Sequence, residues 1–220
     1  MAIQLNDYIE ISNNEVGYRG QITTYKPNAK LSKEAEILRN GLFIAASRTY
    51  GESYIEPMIR ALYGYVKPEN SDYDALDTKT NEKFEIKSAK VLKTKIKKKQ
   101  KTLFDKISSE VEEDPLFRIV NFEDRKTEKY DANIQNVKRD HFDSLIYILL
   151  FNEGIEIFRI KTDKIDKNHI SNWSDKHGRY DELGKSGQFN IKSGMIEYHE
   201  KTHFDRFVSY DELANIAKGV

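Results

Sequence analysis

Apolar residues recur along this chain with two periods, and the changes of period mark its elements. Ala35, Leu38, Leu42, Ala45 and Ala46 follow helical spacing. Ser32 is placed to cap that helix, with Glu34 and Glu36 in the first turns, where the helix dipole favours negative charge. A second helical run passes through Ile55, Ile59 and Leu62 and closes at Gly64. Pro57 requires that helix to begin there or to kink. Strict alternation then takes over. Residues 71–77 and 83–91 are strand-length runs joined by a turn over 78–82. In the resulting hairpin Phe84, Ile86 and Ser88 point one way, and Glu85, Lys87 and Ala89 the other.

Further along, 103–114 predicts a helix stopped by Pro115, 117–122 a strand, and 132–137 a helix. Residues 144–151 and 155–160 flank Glu153-Gly154 and give the clearest strand–turn–strand signal in the chain. A strand is expected at 188–191. A last helix is expected over 209–218, with Ser209 as N-cap and Glu212 three residues on, as in a capping box. Residues 1–30 carry several turn formers and read as a loose arm or a short hairpin. The order of elements predicts an α/β fold, with a central mixed β-sheet flanked by helices. The 220 residues suit one domain, with a core over about 35–165 and a C-terminal part over 166–220.

Composition narrows the function classes. Cysteine is absent, which excludes disulfides and thiolate zinc sites and predicts a reducing, intracellular setting. The longest apolar run, 145–151, is too short to cross a bilayer. The first ten residues lack the basic flank and apolar stretch of a secretory signal. Formal net charge is zero, so the chain is not a uniformly basic nucleic-acid binder. Charge is unevenly placed, however: 93–101 reads Lys-Thr-Lys-Ile-Lys-Lys-Lys-Gln-Lys. His199 and His203 have the four-residue spacing of a zinc pair, but no third ligand accompanies them.

The hairpin carries the strongest chemical signal. Phosphodiester hydrolysis needs an activated water and a counter-charge for the phosphate, and a hard cation held by carboxylates supplies both. Glu85 and Lys87, two apart, share one face of a strand. The turn brings Asp74 alongside, and the Ile86 carbonyl is free to act as a further ligand. Tyr73-Asp74, a ten-residue spacer and Glu85-Ile86-Lys87 resemble the PD-(D/E)XK motif of type II restriction endonucleases, with Tyr73 in place of the family's proline. Asp72 is a rival for the Asp74 position. The upstream helix of this family often carries a supporting glutamate, and Glu52 is preferred here, with Glu56 as the alternative. The segment 133–138 followed by 142–150 resembles the family's later core helix and strand.

This resemblance implies a restriction-endonuclease-like sheet and sequence-specific cleavage of double-stranded DNA by a homodimer in a bacterial or archaeal cytoplasm. It implies Mg²⁺ held by Asp74, Glu85 and Ile86, with Lys87 orienting or activating the water and Glu52 supporting the site. No organic cofactor and no membrane are expected. Lys93, Lys95, Lys97 and Lys98 are candidate phosphate contacts. Lys176, His177, Arg179 and Gln188, in a glycine-containing stretch, are candidate base-edge readers. Trp173 is expected to be a packing anchor.

Overall fold

A computed structural model describes residues 21–22, 30–46, 48–69, 72–94, 102–112, 114–170, 173–174 and 186–220. A short strand, β1 (Gln21–Ile22), precedes helix α1 (Lys33–Ile44), which Ser32 caps by accepting the Ala35 N–H. A π-helical stretch, Thr49–Ile55, runs directly into α2 (Glu56–Tyr63). Pro57 therefore lies in the first turn of α2, directly after the π-helical stretch. Gly64 ends the helix in the left-handed region, at φ 71°.

The hairpin follows as β2 (Ala75–Asp77) and β3 (Glu82–Lys90), turned by Asn81 at positive φ. Helix α3 (Leu103–Glu112) comes next, then β4 (Asp131–Lys138), β5 (Ser144–Leu150) and β6 (Gly154–Lys161). The chain closes with β7 (Ser186–Lys192), α4 (Ile196–His203), β8 (Phe204–Ser209) and α5 (Tyr210–Ala217). Ser209 caps α5 by accepting the Glu212 N–H.

Six strands form one mixed sheet in the order β1-β8-β6-β5-β3-β2. β3 and β5 run parallel, as do β1 and β8, and the other neighbours are antiparallel. The central strand β5 is buried along its whole length. Its alternation divides the core: Leu145, Tyr147 and Leu149 join one apolar cluster, and Ile146, Ile148 and Leu150 another. The second face is covered by α1, α2 and α5 through Leu42, Phe43, Met58, Ile59 and Leu213. The first is covered by α4 and by a two-stranded sheet of β4 and β7, through Ile134, Val137, Phe189, Ile191 and Ile196. Among the described residues no helix is long and apolar enough to cross a membrane.

Two expected elements take another form. Residues 132–137 are strand β4, not a helix. A register shift between Ile134 and Val137, with Asn136 at φ 56°, lengthens the spacing of inward residues from two to three. Ala132, Ile134 and Val137 consequently imitate helical spacing while all three face the core. Residues 117–122 are not a regular strand. They run between the 3-10 turns Pro115–Phe117 and Phe122–Asp124, held by the Leu92–Ile119 bridge and neighbouring backbone bonds. α4 and β8 went unread in the sequence. Trp173 is buried, packed on Phe189 and lying where any Cβ at Gly187 would have to be.

α4 buries two histidines beside Tyr147. The Tyr147 hydroxyl and His199 Nδ1 share a 2.9 Å hydrogen bond, and the imidazole stacks on Phe189. Burial above all pushes His199 down to about 3, with His203 adding to the effect, and burial pushes His203 down to about 4. Below an ordinary value of 6.5 the unfolded chain takes up protons that these native imidazoles refuse, so stability is lost as pH falls from there toward 4. The thermal midpoint should drop across this window, and more gently in His199→Gln. An identical pH slope in the variant would contradict the assignment.

Candidate active site

β2 is three residues long and β3 is nine, so most of one edge of β3 is left without a strand. On that edge the main-chain groups of alternate residues point outward. The chain satisfies them with side chains. The Asp74 N–H still continues the ladder by donating to Phe84 O at 2.8 Å. At Asp74 the backbone then departs, and the Asp74 carboxylate accepts the Ile86 N–H at 2.8 Å. Two residues on, the Tyr50 hydroxyl from the π-helical stretch donates to Ser88 O at 3.2 Å. Lys90 closes the row: its ammonium lies over the Tyr50 ring and donates to Phe43 O and Ala45 O at the end of α1.

The hairpin residues expected to act together do meet. Lys87 Nζ lies 3.5 Å from Asp74 Oδ2 and 3.4 Å from Ile86 O, and it pairs closely with Glu85 Oε1. Three oxygens from three consecutive points of the motif thus converge on one cationic nitrogen. Glu85 is the more enclosed of the two carboxylates, with its side chain 9% exposed against 21% for Asp74. Burial first, and Asp74 and Glu56 after it, push the Glu85 carboxyl up to about 7 against the pull of Lys87. For Lys87, burial disfavours the charge, but Glu85 and Asp74 outweigh it and hold the ammonium above its ordinary range. Asp72 lies outside this cluster, near His141 on the surface.

The two candidate supporting glutamates lie in different surroundings. Glu52 is 60% exposed and paired with Arg48, one turn earlier on its own helical stretch. Glu56 is 16% exposed, and its carboxyl is raised first by burial and then by Asp74, with Lys87 and Arg60 opposing. Glu52 lies within the π-helical stretch, and Glu56 opens α2. Arg60, unremarked in the sequence, donates to Asp74 O at 2.9 Å and faces Glu56 Oε2 at 3.5 Å. Its position four residues after Glu56 was the available signal, since such pairs share a helix face.

The oxygen set suits a hard divalent cation: two carboxylates and a main-chain carbonyl, with no sulfur or imidazole. Among the described residues no three His, Cys, Asp or Glu side chains group as metal ligands. The third oxygen here is a main-chain one, and Lys87 Nζ lies where the three oxygens meet.

Two of the expected DNA contacts, Lys93 and Gln188, fall among the described residues. Lys93 is half-exposed and paired with Glu128 at 3.3 Å, while its carbonyl accepts both prongs of Arg118. Gln188 sits in β7, not in a loop, and exchanges both main-chain bonds with Ser174. Lys95, Lys97, Lys98, Lys176, His177 and Arg179 lie outside the described residues.

Because Glu85 is raised from 4.5 to about 7, its ionisation costs stability, and that cost grows as pH rises through this interval. Glu85→Gln should therefore be more stable than the parent at pH 8, by an amount that shrinks toward pH 5. Urea denaturation at the two pH values measures it, and a stability difference independent of pH would refute the electrostatic account. The chain matches no protein family, no curated protein and no solved structure.

Proposed function

We propose that this protein is a Mg²⁺-dependent endonuclease that hydrolyses phosphodiester bonds of double-stranded DNA at a defined sequence, in the manner of type II restriction enzymes. The observation that carries the reading is the convergence of Asp74 Oδ2, Glu85 Oε1 and Ile86 O on a single cationic nitrogen. Those three oxygens are the residues that would hold Mg²⁺. Once bound, the ion supplies Lewis acidity toward the phosphate and lowers the pKa of a coordinated water.

The chain's own groups do the rest. Asp74 is held in place by its bond from Ile86 N and Glu85 by its enclosure, so the oxygens are preorganised before substrate arrives. Lys87, kept as an ammonium by its two carboxylate neighbours, donates a hydrogen bond to a phosphate oxygen or to the attacking water. Glu56 adds negative charge at the rim. A homodimer matches the two-fold symmetry of a palindromic site.

Support for the wider architecture is partial. The hairpin that brings Asp74 beside the Glu-x-Lys strand supports the reading, while the segment 133–138, expected as a helix, is a strand. Digestion of a long DNA of known sequence with Mg²⁺ tests the reading. Discrete fragments support it, a smear reassigns the enzyme to sequence-independent cleavage, and intact DNA under all conditions removes the nuclease reading.

Site variants sharpen this test. Asp74→Asn keeps an acceptor for Ile86 N but loses the charge, and it should lower kcat at least about a hundredfold, as should Lys87→Ala. Glu56→Gln should cost about tenfold, and Glu52→Gln should leave the rate near that of the parent. An active Asp74→Asn, or equal losses at Glu52 and Glu56, would contradict the assignments.

A further inference from the structure

We propose that Arg60 is a positioning residue of this site, fixing Glu56 on α2 and Asp74 on the hairpin relative to one another; the inference rests on the nuclease reading above. Asp74 offers three hydrogen-bonding handles. β3 takes two of them: Phe84 O accepts its N–H, and its carboxylate accepts the Ile86 N–H. The third, its main-chain carbonyl, accepts Arg60 Nη1 at 2.9 Å. The same nitrogen faces Glu56 Oε2 at 3.5 Å, and the two side chains are only 13% and 16% exposed. One guanidinium thus joins the helix carboxylate to the backbone of the hairpin carboxylate.

Arg60 is itself anchored. Tyr65 N donates to its carbonyl at 2.8 Å, just beyond the left-handed Gly64 that ends α2. Met58 and Ile59, on the same helix, are buried in the core. α2 therefore keeps its place in the fold without Arg60, while the orientation of Glu56 toward Asp74 depends on it. A charge-assisted bond to a carbonyl is also directional, which a nearby unbonded cation is not.

Positioning and simple charge make opposite predictions. Removing a positive charge beside Glu56 and Asp74 should tighten divalent-ion binding if Arg60 acts only through its field. Removing a positioning group should weaken it. Mn²⁺ titration by calorimetry without DNA, together with steady-state cleavage with Mg²⁺, separates the two. For Arg60→Met the account expects Mn²⁺ affinity weaker by about tenfold or more and kcat lower by about tenfold to a hundredfold. KM for DNA should stay within about twofold, because no contact with DNA is lost.

Unchanged or tighter Mn²⁺ binding overturns the inference. Should Arg60→Met lose its cooperative unfolding transition, Arg60→Gln must show the same weakened Mn²⁺ binding in a folded protein, or the inference fails. Parent protein that neither binds Mn²⁺ nor cleaves DNA overturns the nuclease reading and this inference together. Parent protein that does both, beside an Arg60→Met protein that does both equally well, overturns this inference alone.

Discussion

A strand edge that runs past its partner is a liability, because its N–H and C=O groups need partners or an invading strand. β3 continues for six residues after β2 has ended its pairing at Phe84. The chain closes this edge with the Asp74 carboxylate on Ile86 N, the Tyr50 hydroxyl on Ser88 O and the Lys90 ammonium on the end of α1. The first of these bonds has consequences beyond satisfying one amide. It fixes a carboxylate at the edge of the sheet, beside the two side chains of β3 that face the same way, Glu85 and Lys87. The candidate site is thus a by-product of how the sheet edge is finished.

The location also explains the electrostatic tension in the site. Glu85 belongs to a strand flanked by core on both sides, so it is enclosed, and its ionisation works against burial. The neighbouring carboxylates Asp74 and Glu56 add repulsion, and Lys87 relieves only part of it, while Arg60 opposes the rise at Glu56. A cluster of three carboxylates balanced by two cations stores a demand for further positive charge. Functional sites commonly carry such costs, which the rest of the fold sustains. Here that support is a central sheet with apolar cores on both faces, held by three helices on one side and by α4 with the β4–β7 pair on the other.

Much of this was legible in the sequence where local pattern and tertiary environment agree. The alternation over 83–91 and the capping residues Ser32 and Ser209 reported β3, α1 and α5 directly, because each signal depends only on neighbours. The meeting of Asp74, Glu85 and Lys87 was also legible, since hairpin geometry and a two-residue period suffice to bring them together. Legibility failed where the period was broken. The bulge at Asn136 made β4 imitate a helix, and nothing in the local pattern told which of Glu52 and Glu56 would lie beside Asp74. The main-chain bonds of Arg60 and Tyr50 were invisible for another reason. Their partners, Asp74 O and Ser88 O, are main-chain atoms 14 and 38 residues away, and sequence pattern carries no trace of such bonds.

The central claim is that the oxygens of Asp74, Glu85 and Ile86 form a cation site that the Lys87 ammonium fills until a metal arrives. A crystal soaked in Mn²⁺ and measured at the manganese absorption edge tests it most directly. The account predicts an anomalous peak bonded to one oxygen of each of the three residues, with Lys87 Nζ moved out of the cradle. Lys87 still seated among the three oxygens, with no anomalous peak beside it at saturating Mn²⁺, would contradict the account.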